Sequence, residues 1–121
     1  MDVIALYTRL HPGKEREYED FHREVPAEIA EDLIARGVHD WRIWRRGQDL
    51  FHLVIAEDYE RFRQSKATNS TADGWGEVMT PFLELNNELG DANTMTAVWS
   101  LQDQLSSEAT EVQLVPPGTD K

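Results

Sequence analysis

The sequence predicts an α+β fold of the ferredoxin-like split βαβ type, in which helices pack on one face of an antiparallel sheet. Three observations lead to this class. Short segments rich in β-branched and aromatic residues predict strands. Longer segments with an apolar period of three to four residues predict helices, and the order along the chain is strand, helix, strand, strand, helix, strand. The chain has 121 residues, which suffice for one hydrophobic core but not for two domains.

The first strand and the first helical segment occupy the N-terminal third. Residues 3–10, VIALYTRL, predict a strand that carries apolar side chains on both faces. A helical pattern follows from about Lys14 to Arg36 and ends at Gly37, a residue suited to a left-handed cap. Pro26 lies inside this pattern and removes a backbone donor, so we expect either a kink or a second helix that starts near it.

The middle of the chain predicts a hairpin and a short helix. Residues 38–45 and 50–57 both have strand patterns, and the short link around Gly47 favours an antiparallel hairpin. Residues 58–67 predict a helix with Asp58 as its N-cap. The segment TNSTADG that follows predicts a break.

The C-terminal part predicts one more helix and one more strand. Residues 75–89 have a helical pattern that is interrupted near Pro81, and residues 93–101 predict a final strand. We therefore assign residues 1–102 to a single domain. Residues 103–121 turn polar and contain prolines, so we expect a flexible tail.

Both alternating sets of strand residues are apolar, which bears on assembly. One layer of helices covers only one face of a sheet, and the predicted elements leave nothing for the other face. A second copy of the same sheet is the simplest cover. We therefore expect a homodimer with its two sheets packed face to face.

Composition excludes several classes of function. The formal net charge is −11, and such a surface repels nucleic acid and anionic membranes and suits a neutral ligand. No apolar run is long enough to span a membrane, and the N-terminus lacks a basic leader. The absence of cysteine excludes disulfides, thiolate metal sites and cysteine nucleophiles, and is consistent with a cytoplasmic protein.

The four histidines fall in different predicted elements and have no metal-ligand spacing, so we expect no metal and no other cofactor. His11 and His39 are expected at the surface. His52 lies in mid-strand, where it either packs in the core or faces a pocket or the dimer interface. His22 shares a helical face with Tyr18, four residues earlier, so it either fills space in the core or carries protons.

Tryptophan is abundant for a chain of this length, with four residues: Trp41, Trp44, Trp75 and Trp99. Indole rings are mainly packing residues, but they also stack on the apolar faces of sugar rings. Trp75 follows a glycine-containing break and begins an element, which makes it the best candidate for a ligand contact. Trp99 is expected in the core or in an interface.

The opening strand is followed in order by four distinctive segments: YEDFHREVPAEI, GVHDWRIW, DLFHLVIAED and GWGEVMTPF. In these segments, and over roughly residues 3–101, the chain resembles the L-rhamnose mutarotase family. The resemblance implies a dimeric α+β barrel and a cofactor-free enzyme that interconverts the α and β anomers of a 6-deoxyhexose, L-rhamnose or L-fucose. It also implies that His22 is the acid–base residue and that Tyr18 and Trp75 line the sugar site. We expect Trp41 to bind the substrate as a second part of the stacking wall.

Three positions depart from the family pattern: Val25 stands where tryptophan is usual, Trp41 where tyrosine is usual, and Gly76 where a second tryptophan is frequent. Two other functions fit the same architecture, since a fold does not determine an activity. One is a cofactor-free monooxygenase, which would consume oxygen. The other is a non-catalytic sugar-binding module, which would bind a monosaccharide without accelerating anomer exchange.

Overall fold

A three-stranded antiparallel sheet forms the centre of the protein. The computed structural model describes residues 1–84 and 93–110, with side chains through residue 106. The strands are Asp2–Arg9 (β1), Val38–Arg46 (β2) and Asp49–Ala56 (β3), and β3 lies between the other two. The predicted antiparallel sheet and the β2–β3 hairpin are therefore confirmed, and Gly47 makes the turn with a left-handed φ of 60°.

Five α-helices are described, together with a 3₁₀ turn at Thr80–Phe82. The helices are Glu15–Arg23 (α1), Ala27–Ala35 (α2), Tyr59–Gln64 (α3), Ser70–Met79 (α4) and Leu101–Thr110 (α5). None of the helices within the described residues is both long enough and apolar enough to cross a membrane.

Pro26 divides the first helical segment into two helices. Of the two predicted outcomes, a kink or a second helix starting near Pro26, the second is confirmed. It is the residue immediately before α2, with an extended ψ of 140°. Arg36 caps the other end of α2, and Gly37 follows with a φ of 93°, which only glycine adopts without strain. The break ends α1 at Arg23 and starts α2 at Ala27, so the two segments are separate helices.

The helices after the hairpin follow the predictions less closely. Asp58 caps α3 as expected, because its carboxylate accepts the Arg61 backbone N–H. The predicted break TNSTADG is instead the start of α4, which Asn69 caps by accepting the Ala72 N–H. Side-chain capping by Asn69 outweighs the low helix propensity of the glycines that follow. Part of the helix predicted at 75–89 lies outside the described residues.

The predicted last strand, residues 93–101, is absent as a regular strand from the described residues. Thr94 forms a single antiparallel bridge with Leu6, and the Met95 N–H donates to the Ala5 carbonyl at 2.8 Å. The chain then runs without regular structure to α5, which begins at Leu101. The segment has the alternating apolar pattern of a strand. Within the described chain, however, no further strand lies on the side of the segment that faces away from β1.

The helix-facing side of the sheet carries two apolar clusters. One cluster is built on Leu6 and Val54 and includes Phe62 of α3, while the other is built on Leu10 and Leu50. The second cluster also takes in residues of α1, α4, the 3₁₀ turn and the position just after it: Tyr18, Met79, Phe82 and Leu83.

Thr8 and His52 lie between these two clusters, and both are essentially fully buried. The inner face is therefore apolar at its two ends and polar in its middle.

The opposite face of the sheet carries a group of apolar side chains that is partly open to solvent, flanked by charged residues such as Arg9 and Asp49. It includes Val3 and Tyr7 of β1, Phe51 of β3 and Trp44 of β2, of which Val3 is 62 % exposed and Trp44 54 %. Within the described residues no helix is packed on this side. Exposed apolar side chains in a continuous strip are typical of an interface.

Candidate functional site

A cavity of about 680 Å³ lies between the helices and the inner face of the sheet. Its wall draws on five elements: His22 of α1, Ile29 of α2, Trp41 of β2, Phe62 of α3 and Trp75 of α4. Its volume falls within the range typical of small-molecule sites. The wall is mostly apolar with a few polar groups, as such sites generally are.

His22 projects from the last turn of α1 and is half-buried in the cavity wall. Its Nδ1 lies 3.0 Å from the carbonyl oxygen of Tyr18, one turn earlier in the same helix. A carbonyl accepts only, so the neutral ring carries its proton on Nδ1 and leaves the lone pair on Nε2. Burial lowers the pKa of His22, and the hydrogen bond to Tyr18 offsets part of that effect. The imidazole is therefore largely neutral at pH 7, with Nε2 as a base.

Tyr18 is buried directly against His22. The two rings lie with centroids 4.2 Å apart and an angle of 30° between their planes. Phe82 meets the other side of Tyr18 edge-on, at 6.3 Å. Tyr18 thus fixes His22 twice, through its ring and through its carbonyl, and the predicted pairing of these two residues is confirmed.

Trp75 and Trp41 form two aromatic parts of the wall. The Trp75 ring approaches His22 edge-to-face, with centroids 6.2 Å apart. Trp41 lies across the cavity on β2, where its ring packs edge-on against Phe62 at 6.3 Å. The structure therefore brings His22, Trp75 and Trp41 together around one cavity, with Tyr18 behind His22.

Trp41 is also hydrogen-bonded within the sheet. Its indole N–H donates to Nδ1 of His52 at 3.2 Å, and the other nitrogen of His52 lies 2.9 Å from the Thr8 hydroxyl. Burial, together with the nearby His22, lowers the pKa of His52 to about 4. His52 is therefore a neutral residue packed beneath the cavity wall, one of the alternatives that its mid-strand position left open.

A buried ion pair stabilises the far end of the cavity. Arg36 donates to the Asp32 carboxylate at 3.1 Å, and its remaining donors reach Ser65 and the Phe62 carbonyl. Thr68 donates both its backbone N–H and its hydroxyl to Asp32. Burial alone would raise the pKa of Asp32, but the Thr68 and Arg36 hydrogen bonds outweigh it and leave the pKa below its ordinary value.

The sequence predictions did not identify this ion pair, although the pattern contained a signal. Ile29, Asp32, Leu33 and Arg36 are spaced three and four apart, so the two charged residues lie on the apolar face of α2. Charges on such a face are rarely tolerated unless they are paired. His11 and His39, which were expected at the surface, are exposed. Within residues 1–84 and 93–110, no group of three or more possible metal ligands occurs.

Comparison with known proteins gives a consistent result. The family model described as L-rhamnose mutarotase matches residues 3–101. An L-rhamnose mutarotase of Shouchella clausii is 31 % identical over 88 residues, which cover 70 % of this chain and 83 % of the relative. An L-rhamnose mutarotase of Opitutus terrae is 36 % identical over 80 residues, covering 62 % and 77 %. A third, from Oceanobacillus iheyensis, is 28 % identical over 87 residues, covering 70 % and 83 %.

Two solved structures share the fold. The L-rhamnose mutarotase of Formosa agariphila superposes with a TM-score of 0.64 at 17 % identity, covering 84 % of this chain and 99 % of the other. Tetracenomycin F2 cyclase of Streptomyces glaucescens, a type-II polyketide cyclase, superposes with a TM-score of 0.56 at 17 % identity, covering 83 % and 96 %. At these identities the structures establish the α+β fold alone. The family match over residues 3–101 extends to the whole cavity-bearing region, and the chain belongs to the L-rhamnose mutarotase family.

Proposed function

We propose that this protein is a sugar mutarotase that interconverts the α and β anomers of a 6-deoxyhexose, with L-rhamnose as the first candidate and L-fucose as the second. The observation that carries the proposal is a neutral histidine in the wall of a largely apolar cavity, in a chain of the L-rhamnose mutarotase family. The net charge of −11 favours a neutral ligand over a phosphorylated one.

Interconversion of the two anomers requires little beyond proton transfer. Ring opening requires removal of the proton from the anomeric hydroxyl and addition of a proton to the ring oxygen. The free aldehyde then rotates about its bond to the neighbouring carbon, and the ring closes on the other face. In our proposal Nε2 of His22 takes the proton from the anomeric hydroxyl and then donates it to the ring oxygen, because Nδ1 is engaged with the Tyr18 carbonyl. General acid–base catalysis of this kind contributes about 10²–10⁴-fold.

The other predicted site residues take supporting roles. Trp75 stands beside His22 and Trp41 stands across the cavity, so both offer an apolar surface to a sugar ring and its methyl group. Tyr18 acts as the partner of His22, holding the imidazole at a fixed angle. A direct bond from its hydroxyl to the sugar is the alternative role, and Tyr18→Phe distinguishes the two.

Anomer exchange measured by saturation-transfer NMR tests the proposal directly. Purified protein should accelerate exchange between the α and β signals of L-rhamnose or L-fucose, with other free sugars as the comparison panel. Line broadening without faster exchange would indicate a non-catalytic sugar-binding module. Oxygen uptake with a quinol-type aromatic substrate would indicate a monooxygenase instead.

We further propose that the protein is a cytoplasmic homodimer. The open face of the sheet, from Val3 to Trp44, supports the second copy, because a face with this much exposed apolar surface is typical of a permanent contact. The irregular segment after Thr94 also carries exposed apolar side chains, since Met95, Val98 and Trp99 are 44 %, 94 % and 67 % exposed. The cytoplasmic location rests on the absence of cysteine.

A further inference from the structure

We infer that His52 is a positioning residue for the sugar site: it accepts the Trp41 indole N–H, so that Trp41 presents its ring and not its N–H to the ligand. This inference rests on the proposed function, because it assigns the part that one wall residue plays in holding a sugar. It concerns a residue that lies beneath the cavity wall and does not itself touch the ligand.

The hydrogen bonds define both the orientation and the tautomer of His52. The Trp41 indole can only donate, and it lies 3.2 Å from Nδ1 of His52, so Nδ1 accepts. The proton of the neutral ring is then on Nε2, which donates to the Thr8 hydroxyl at 2.9 Å. His52 and His22 thus hold opposite tautomers, since His22 carries its proton on Nδ1.

The three residues form a row across the sheet. Thr8 is on β1, His52 on the central strand β3, and Trp41 on β2, all on the helix-facing side. Thr8 and His52 are 0 % and 2 % exposed, so the hydrogen bond between them is shielded from solvent. Loss of an acceptor in such a position would leave a buried N–H unsatisfied, which is costly.

The same row restricts the Trp41 ring. The indole is held at its N–H by His52 and at its edge by Phe62, whose other contacts include the Arg36 guanidinium 4.5 Å from its centroid. Because the N–H is already used, a sugar hydroxyl placed at Trp41 meets the apolar part of the indole. Trp41 is therefore a stacking surface whose angle is set before the ligand binds, and such preorganisation favours affinity.

The experiment compares His52→Phe, which keeps a buried aromatic ring but has no acceptor, with His39→Phe, a matched change at an exposed strand histidine. The Trp41 indole N–H signal in ¹H–¹⁵N spectra, assigned through Trp41→Phe, should move upfield in His52→Phe and remain in place in His39→Phe. The KM for anomer exchange should rise by about fivefold in His52→Phe with kcat nearly unchanged, because the lost interaction serves binding.

Thr8 provides a second, independent pair of variants in case His52→Phe folds poorly. Thr8→Val removes the hydroxyl at nearly constant volume, and it should shift the Trp41 signal and raise KM in the same direction. Thr8→Ser keeps the hydroxyl and should restore both readings.

An unchanged indole signal in folded His52→Phe, or a moved signal with an unchanged KM, would overturn the inference. A wild-type protein that neither exchanges nor binds sugar would instead contradict the proposed function, while the indole signal would still respond.

Discussion

Nδ1 of His22 lies 3.0 Å from the backbone carbonyl oxygen of Tyr18, the residue one turn before it in α1. The contact is local, so a histidine at this position can make it in any sequence that forms the helix. Its effect reaches further, because it selects the nitrogen that remains basic and fixes the direction in which the ring faces the cavity. Whether His22 is a packing residue or a proton carrier can be tested by measuring anomer exchange and stability in His22 variants.

Replacement of His22 by alanine should separate these two roles. If Nε2 carries the proton, His22→Ala should lower anomer exchange by roughly 10²-fold or more. The ring is only half-buried, so the loss in free energy of unfolding should stay near 1 kcal/mol. Exchange rates by NMR and thermal melts provide the two readings.

Two further variants serve as controls for His22→Ala. His39→Ala should leave the exchange rate unchanged, because His39 is exposed on β2 and pairs with Glu57. Tyr18→Phe should change exchange by less than about twofold if the ring and carbonyl of Tyr18 suffice, whereas a higher KM would assign the hydroxyl to the sugar. A destabilised His22→Ala protein with full exchange would mean that His22 is a packing residue.

The pH dependence of exchange should report the lowered pKa of His22. The folded pKa lies below the ordinary value of about 6.5, so the neutral base persists to lower pH than a free imidazole would. We expect kcat/KM to be flat from pH 8 to near neutrality and to fall in acid, with a midpoint below 6.5. A midpoint above 6.5 would contradict burial as the dominant effect, and His22→Ala should abolish this limb.

The dimer should depend on the open face of the sheet. Val3→Glu places a charge on this face, where Val3 is 62 % exposed, so the monomer should tolerate it while the dimer should not. Ile34→Glu is the matched control, because Ile34 is 70 % exposed on α2, away from that face. Light scattering should give about twice the 13.9 kDa chain mass for the parent and the control, and about 13.9 kDa for Val3→Glu. A monomeric parent would exclude the proposed assembly.

Loss of the Asp32 charge should destabilise the fold. Asp32→Asn would leave Arg36, whose side chain is 15 % exposed, without its anion. Breaking a buried pair on one side typically costs about 3–5 kcal/mol. Asp20→Asn removes the partner of Arg23 in an exposed pair, so its effect should stay within about 0.5 kcal/mol. Urea unfolding of the two variants at pH 7 makes the comparison, and equal effects would show that the network adds no stability.

Stability should also fall in acid because of His52. The unfolded chain binds this proton near pH 6.5, but the folded protein binds it only near pH 4. Between these values the unfolded state holds more protons, so the free energy of unfolding decreases as the pH drops. From pH 7.5 to 4.5 the parent should lose roughly 2–3 kcal/mol more than His52→Phe, which has no such proton. Equal losses in the two proteins would contradict a buried, neutral His52.

Local signals in the sequence were sufficient for most of the elements. Pro26, Gly47 and Asp58 each act through their own backbone or a neighbour's, and each has the predicted role. Residues 93–101 show the limit of such signals: their alternation is that of a strand, but a strand needs a partner, and the described chain offers only the Thr94 bridge. Pairing between distant segments depends on the whole fold, so it cannot be predicted from the residues of one segment alone.

The candidate site was predicted in part for the same reason. His22 and Tyr18 were paired by helical spacing, and the helix places them together. His52 was recognised only as a mid-strand residue, because its contacts with Thr8 and Trp41 join three strands. A contact across strands depends on which residues lie opposite one another, and no window of neighbouring residues contains that information.

The polar row in the middle of an otherwise apolar sheet face also bears on how the strands find one another during folding. Leu6 lies opposite His52, and Thr8 lies opposite Leu50, so the Thr8–His52 bond runs diagonally between the pairs. If β1 slipped by two residues along β3 so that Leu6 faced Leu50, the apolar side chains would still point inward. On this face Thr8 would then lie opposite Gln48, and the imidazole N–H of His52 would lose its acceptor, at a cost of about 1–3 kcal/mol. One threonine and one histidine thus penalise a mispaired sheet that hydrophobic burial alone would accept.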